Sequence, residues 1–246
     1  MRKFLLFAIL CATCSNAWAH GTSTVQISVG ASAGKLSINS GTTIQGLKVF
    51  ADNSDVFDGL GQSIVPGWAF DSSLNSSTIG LNIVDTMFYW NTTSGINATT
   101  TDNLTFRRLF FPTVPDTAVV GQSSITDATT TLWDSATVGQ SHHIMRYEVP
   151  SGSGPGAYGV LVQLQDISAV PSLAASDPFL LIFNKGLTST PGTVAGQPLD
   201  SSQFGTAVGA ITAAAVPEPA GACLAIIALG GFVCAARRLK RSPSKF

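Results

Sequence analysis

The chain has 246 residues, of which 11% are charged, and a formal net charge of −1 at pH 7. Of its 13 lysines and arginines, most lie in the first three residues and after position 236, so that the region between is acidic and has no basic patch. This distribution excludes nucleic acid as an expected partner, because binding to phosphates needs clustered positive charge.

The N-terminus has the three parts of a secretory signal peptide. Arg2-Lys3 is the charged start, Phe4 to Leu10 is an apolar run too short to span a bilayer, and Ala17-Trp18-Ala19 is a small-x-small cleavage pattern. We therefore predict a signal peptide over 1–19, removed by signal peptidase, and an exported body that begins at His20.

The body is predicted to be all-β. Apolar residues alternate with polar ones in several short runs, which is typical of half-buried strands, and Gly- and Pro-rich turns separate these runs. The run Phe179 to Phe183 is continuously apolar and fits a strand buried on both faces. The pattern predicts a single β-sandwich or jelly-roll-like domain over 20–195. The alternating sets are Val25, Ile27 and Val29; Ile79, Leu81 and Ile83; Leu104, Phe106, Arg108 and Phe110; and Tyr158, Val160, Val162 and Leu164.

The region after this domain becomes small and polar, ending in three alanines at 213–215. It is predicted to be a linker over 196–215. The alternative is that Phe204 to Ile211 docks onto the body. The body between His20 and Val216 contains no cysteine, so it cannot depend on disulfides although it is exported.

An oxygen-rich segment suggests one metal site. Asp52, Asp55 and Asp58 lie within eight residues and could supply carboxylates to calcium. Val56 falls where an EF-hand loop needs an oxygen ligand, however, and no glutamate closes the loop. A solvated turn between strands is the alternative.

The three histidines suggest a second metal site. Cleavage after Ala19 would give His20 a free amine that could bind a metal together with its ring, and His142 or His143 could add a further ligand. An amine with imidazoles suits copper or zinc. His20-Gly21 resembles the start of the histidine-brace copper enzymes that oxidise polysaccharides, and the resemblance stops there. A frayed terminus and a core histidine are the alternatives.

The signatures of common enzymes are absent from the sequence, including the nucleophile elbow, the phosphate loop and the zinc-protease motif. We therefore expect a protein that is not an enzyme and holds no cofactor, with the copper, zinc and calcium sites as the alternatives.

A strand over 141–149 is predicted to carry His142 and His143 on opposite faces.

The C-terminus has three elements in order. Val216-Pro217-Glu218-Pro219 is followed by an uncharged apolar segment at 220–236, which is near the short limit for a membrane helix, and then by Arg237-Arg238. This tail resembles the PEP-CTERM sorting signal of Gram-negative bacteria. The resemblance implies recognition by exosortase, a transmembrane helix at 220–236, and processing near Pro-Glu-Pro that releases or transfers the body. A plain membrane anchor is the alternative.

The body resembles uncharacterised bacterial surface proteins with the same tail. The residues that carry this resemblance are His20, the Gly-x-x-His-His-type run ending at His143, and the segment from Ser176 to Leu187. Together these features predict a protein held in the inner membrane, with its body outside the cytoplasm, until it is sorted to the cell surface or the extracellular matrix. Its expected role is structural, adhesive or carbohydrate-binding, with extracellular polysaccharide as a partner; metal binding through His20 is the alternative.

Overall fold

The computed structural model describes residues 26–51, 62–63, 67–74, 77–108, 117–133, 142–143, 145–189 and 201–216. These residues form sixteen strands, a 3-10 turn at Ser72–Leu74 and one α-helix. The strands are β1 (Gln26–Ser32), β2 (Lys35–Ile38), β3 (Thr42–Ile44), β4 (Leu47–Ala51), β5 (Gln62–Ser63), β6 (Gly67–Phe70), β7 (Ile79–Ile83), β8 (Phe88–Trp90), β9 (Leu104–Arg108), β10 (Thr117–Val120), β11 (Ile125–Thr126), β12 (Thr129–Trp133), β13 (His142–His143), β14 (Met145–Glu148), β15 (Gly156–Asp166) and β16 (Phe179–Lys185); the helix is α1 (Gln203–Ala215).

The strands form three sheets. A four-stranded sheet has the order β13-β6-β1-β2, and a five-stranded sheet has the order β11-β10-β9-β14-β5. The largest sheet has the order β12-β7-β15-β16-β4-β3, and β8 pairs with the first part of the long strand β15. Within the described residues, the pairs β1–β6 and β4–β16 are parallel and the other strand pairs are antiparallel. The β-rich fold expected from the alternating pattern is confirmed.

Aromatic side chains from all three sheets meet in the main core. The ring of Trp68 on β6 lies 6.2 Å from that of Phe179 on β16, and the ring of Tyr147 on β14 lies 4.7 Å from that of Phe183 on β16. Phe106 on β9 packs edge-on against Tyr147 at 5.4 Å. All five side chains are buried. Contacts of this kind bury a large apolar area at each ring and join the sheets into one core.

The alternating residues of the predicted strands take the buried positions that their pattern indicates. The described members that are buried include Ile27 and Val29; Ile79, Leu81 and Ile83; Leu104 and Phe106; and Tyr158, Val160, Val162 and Leu164. Phe110 and Val25 lie outside the described residues.

Strand β16 is buried on both faces, as its continuous apolar run predicts. Phe179, Leu181 and Phe183 face the main core. Leu180 and Ile182 belong instead to a second apolar cluster, which lies between the opposite face of this sheet and helix α1.

Helix α1 occupies most of the predicted linker over 196–215. Ser202 caps its N-terminus by accepting a hydrogen bond of 3.1 Å from the main-chain N–H of Gly205. Buried residues recur at helical spacing and pack against the large sheet; they are Phe204, Ala207, Val208, Ile211 and Ala215. The predicted linker is therefore corrected over 203–215, where the chain docks as part of the body.

The described residues contain no helix that is long and apolar enough to cross a membrane. The predicted transmembrane segment 220–236 lies outside them.

Candidate ligand-binding pocket

The site that the structure assembles lies at one edge of the body and begins with the β1–β2 hairpin. Ala33 and Gly34 connect the two strands, and both have positive φ angles, 51° and 76°. Two successive residues of this kind match the right-handed twist of a tight hairpin, and glycine takes such a conformation without strain. The turn pairs Ser32 with Lys35 and places Lys35 at the beginning of β2.

Residues 167–178, which join β15 to β16, run along the free edge of β2. The main-chain N–H of Leu36 donates to the carbonyl of Ala174 at 2.9 Å, and the N–H of Ala174 donates to the carbonyl of Gly34 at 2.8 Å. This connection therefore covers the first part of an otherwise unpaired edge strand.

The carboxylate of Asp166 organises the start of this connection. It accepts hydrogen bonds from the main-chain N–H groups of Ser168 at 3.0 Å, Ser172 at 2.8 Å and Leu173 at 3.1 Å. Burial acts to raise the pKa of Asp166, but these hydrogen bonds and that of the Ser168 hydroxyl favour the charged form and hold the pKa below its usual value. The residue is 8% exposed, so its carboxylate acts as a fixed anchor for the loop.

Ser176 fixes the other end of the connection. Its main-chain N–H donates to the carbonyl of Leu164 at 3.0 Å, and its hydroxyl accepts from the N–H of Leu164 at the same distance. The side-chain amide of Gln163 donates to the carbonyl of Ser176 at 2.7 Å. Ser176 is 2% exposed, so its position and that of its neighbour Asp177 are set by β15.

A cavity of about 290 Å³ lies between β2, β4 and this connection. Its lining combines hydroxyl, ammonium and carboxylate groups with the apolar edge of β2; the residues are Ser32, Lys35, Leu36, Ser37, Ile38, Lys48, Ser176 and Asp177. Lys48 reaches the cavity from β4, where its backbone pairs with Phe179 of β16. The cavity therefore brings together segments from three separate parts of the chain.

The two lysines of the cavity have different partners. Lys35 pairs with Asp177 at 2.6 Å, and both side chains are substantially exposed, so this ion pair contributes little to stability. Lys48 donates to the main-chain carbonyl of Ile38. Among the described residues, Lys48 has no carboxylate within ion-pairing distance. The lining thus has one more positive than negative side chain.

The predicted strand over 141–149 is two strands in different sheets. His142 and His143 form β13, which pairs with Ala69 and Trp68 of β6 in the four-stranded sheet. Met145–Glu148 form β14, which pairs with β9 and β5 in the five-stranded sheet. His143 and Met145 therefore belong to different sheets.

The other predicted site residues, apart from Val216, lie outside the part of the chain that the structure describes. His20, Asp52, Asp55 and Asp58 lie outside the described residues, and so do Pro217, Glu218, Pro219, Arg237 and Arg238. Val216 caps the C-terminus of α1, where its N–H donates to the carbonyl of Thr212 at 3.1 Å. No group of three or more His, Cys, Asp or Glu side chains that could hold a metal occurs among the described residues.

No pattern in the sequence indicates the pocket. Lys35 and Lys48 are two of the few cations of the body, and Ser176 and Asp177 lie well over a hundred residues further along the chain. Scarcity of charge was the one available signal, and it does not show which charged residues meet. Comparison of the chain with family models, curated proteins and solved structures gives no match.

Proposed function

We propose that this chain is an exported surface or extracellular-matrix protein with a non-enzymatic role, adhesive or carbohydrate-binding, and that exosortase sorts it through its C-terminal tail. The observation that carries the proposal is the order of the three tail elements at 216–246, the Pro-Glu-Pro motif, the apolar segment and the arginines. The inner membrane holds the protein through segment 220–236 before processing.

The end of helix α1 supports a boundary between the body and the proposed sorting signal. The helix is docked on the large sheet up to Ala215, and Val216 is its C-cap. Pro217 follows at once, and a proline has no N–H with which to continue a helix. The last described element of the body therefore ends where the proposed sorting signal begins.

We also propose that the three sheets form a single sandwich-like body. The aromatic contacts among Trp68, Tyr147, Phe179 and Phe183 support this arrangement, because they join all three sheets in one apolar cluster. A body with one continuous core and no disulfide is compatible with export as a single domain.

The sorting proposal is tested by replacing Pro217-Glu218-Pro219 with three alanines in the full-length chain. We expect the variant to keep its full mass after signal-peptide removal and to stay in the membrane fraction. Replacing Ser242-Pro243-Ser244 with three alanines is the matched control, since it changes the same tail outside the three elements. Normal processing and localisation of the first variant would overturn the proposal.

A second candidate function is extracytoplasmic binding of copper or zinc by His20 with His142 or His143. It is supported by the position of β13, which is the end strand of the four-stranded sheet in the described part of the chain, beside β6. Adding one glycine before His20 removes the α-amine from chelating distance. A copper affinity equal in the mature and the extended protein would exclude this site.

A further inference from the structure

We propose that the cavity between β2, β4 and residues 174–177 binds one sugar ring that carries a carboxylate, and that Lys48 is the residue that recognises the carboxylate. This inference rests on the carbohydrate-binding form of the proposed function, and it names the class of ligand and the residues that would hold it.

The charge of the cavity is the first support. Lys48 is partly buried, and it donates one hydrogen bond to the carbonyl of Ile38, which is a neutral acceptor. An ammonium group has three donors and is stabilised most by an anion, above all where protein shields it from water. Since no described carboxylate pairs with Lys48, an anionic group of a ligand can supply the missing counter-charge.

The size and lining of the cavity are the second support. Ligand pockets commonly measure about 300–1,000 Å³, so a cavity of about 290 Å³ suits one ring rather than a long chain of rings. Ser32, Ser37 and Ser176 line it together with Leu36 and Ile38. The hydroxyl of Ser176 is already bonded to Leu164 and Asp177. The hydroxyls of Ser32 and Ser37, beside the short apolar edge, fit a polyol, which has polar rims and less polar ring faces.

The carboxylate of Asp177 distinguishes a sugar acid from a simple anion. It lies on the cavity lining beside Lys35 and can accept a hydrogen bond from a ring hydroxyl. A sulfate ion offers no such donor, and a phosphate ion near neutral pH offers fewer hydroxyl donors than a sugar acid. A cavity that is lined both by the carboxylate of Asp177 and by Lys48, which has no described carboxylate partner, therefore favours a ligand with an acid group and hydroxyl groups.

The walls of the cavity are held in place before any ligand arrives. Lys48 is held by the carbonyl of Ile38, and Ser176 is held by hydrogen bonds to Leu164 and Gln163. Asp166 anchors the connection that contains Ser176. Such pre-organisation reduces the entropy lost on binding, which matters for a ligand with few atoms.

The test uses the full-length protein, purified in detergent and titrated calorimetrically with D-galacturonate, D-galactose and inorganic phosphate at low ionic strength. We expect galacturonate to bind at least tenfold more tightly than galactose or phosphate. Lys48→Gln should weaken galacturonate binding about tenfold or more and leave galactose binding unchanged. Asp177→Asn should narrow the difference between the affinity for galacturonate and the affinity for phosphate.

Lys185→Gln is the matched control, because it removes one positive charge from β16 outside the cavity, and it should bind like the unaltered protein. Thermal unfolding of each variant establishes that it is folded. Absence of galacturonate binding, equal binding of the two sugars, equal binding of phosphate, or an unchanged affinity in Lys48→Gln would each overturn the inference. Sorting of the Lys48→Gln protein is measured separately, so that failure of the pocket and failure of the sorting proposal give different results.

Discussion

The indole N–H of Trp68 donates a hydrogen bond of 2.9 Å to the phenol oxygen of Tyr147. This bond joins β6 of the four-stranded sheet to β14 of the five-stranded sheet in the middle of the core. Both residues are at most 1% exposed, so water cannot replace either partner.

Tyr147→Phe should therefore destabilise the body by about 1–3 kcal/mol, which is the usual cost of leaving a buried donor without its acceptor. Urea unfolding measures the change. Tyr89→Phe is the control, because the Tyr89 hydroxyl makes a longer hydrogen bond, 3.4 Å, to the carbonyl of Pro155. Equal losses in the two variants would contradict a special contribution from the Trp68–Tyr147 bond.

The buried tyrosines also predict a loss of stability in alkali. Burial raises the pKa of Tyr147 and that of Tyr158, and the negative charge of Asp102, to which the Tyr158 hydroxyl donates at 3.0 Å, raises the pKa of Tyr158 further. An unfolded tyrosine ionises near pH 10. Above that pH the unfolded state loses protons that the folded state keeps, so the free energy of unfolding should fall as the pH rises.

Each of these tyrosines should lower the free energy of unfolding by at most about 1.4 kcal/mol for each pH unit. Urea unfolding at a series of pH values between about 9 and 11 measures it, with phenolate absorbance as the second readout. Tyr158→Phe should reduce the slope by one tyrosine's share whatever its effect at neutral pH. A slope that is the same in the variant would show that Tyr158 does not resist ionisation.

Asp166→Asn should loosen the connection between β15 and β16. An asparagine side chain has one acceptor oxygen in place of the two that receive the N–H groups of Ser168, Ser172 and Leu173. We expect a loss of about 1–3 kcal/mol and faster hydrogen exchange of these three amides. Asp177→Asn is the control, since the exposed pair with Lys35 should cost under about 1 kcal/mol.

The pH dependence of the Asp166 contribution has the opposite sign to that of the tyrosines. Its pKa is lowered in the folded state, so its stabilising effect is present above the unfolded value near 3.9 and is lost as the pH falls through the lower folded value. The difference in stability between the unaltered protein and Asp166→Asn should accordingly shrink in acid. A difference that stays constant from pH 7 down to about pH 2 would contradict this assignment.

The docking of α1 predicts a coupled pair of substitutions. A methyl group at Gly159 on β15 would overlap Cγ2 of Ile211, which is fully buried on the helix. Gly159→Ala should therefore destabilise the body by about 1–3 kcal/mol. In an Ile211→Ala background the same substitution should cost much less, because the space is already open. Equal costs in the two backgrounds would mean that the helix does not rest on Gly159.

Local patterns in the sequence predicted several of the strands. Ile79, Leu81 and Ile83 are buried as their spacing indicates, and the uninterrupted run of β16 correctly predicts apolar contacts on both faces. Those patterns depend on neighbouring residues and on the geometry of one strand. Those patterns did not show which element covers the outer face of β16, although the apolar run on that face requires an apolar partner.

That partner, α1, was expected only as the alternative of docking by Phe204 to Ile211, because the small and polar residues around this segment favoured a linker. Phe204, Val208 and Ile211 nevertheless recur at helical spacing after Ser202, a favoured N-cap residue. The pocket could not be predicted at all. Lys48 and Asp177 line one cavity because β4 pairs with β16 and residues 167–178 run along the edge of β2, and neither relationship leaves a local pattern.

The parallel pairing of β4 with β16 also governs when the body can fold. Lys48 pairs with Phe179, about 130 residues further along the chain, and contacts between such distant segments slow folding because a long loop must close first. The central sheet stays incomplete until the ribosome has made β16, and α1 then closes over it. This late completion of the sheet is compatible with the proposed export, because a chain whose core is still incomplete can be threaded across a membrane before it folds.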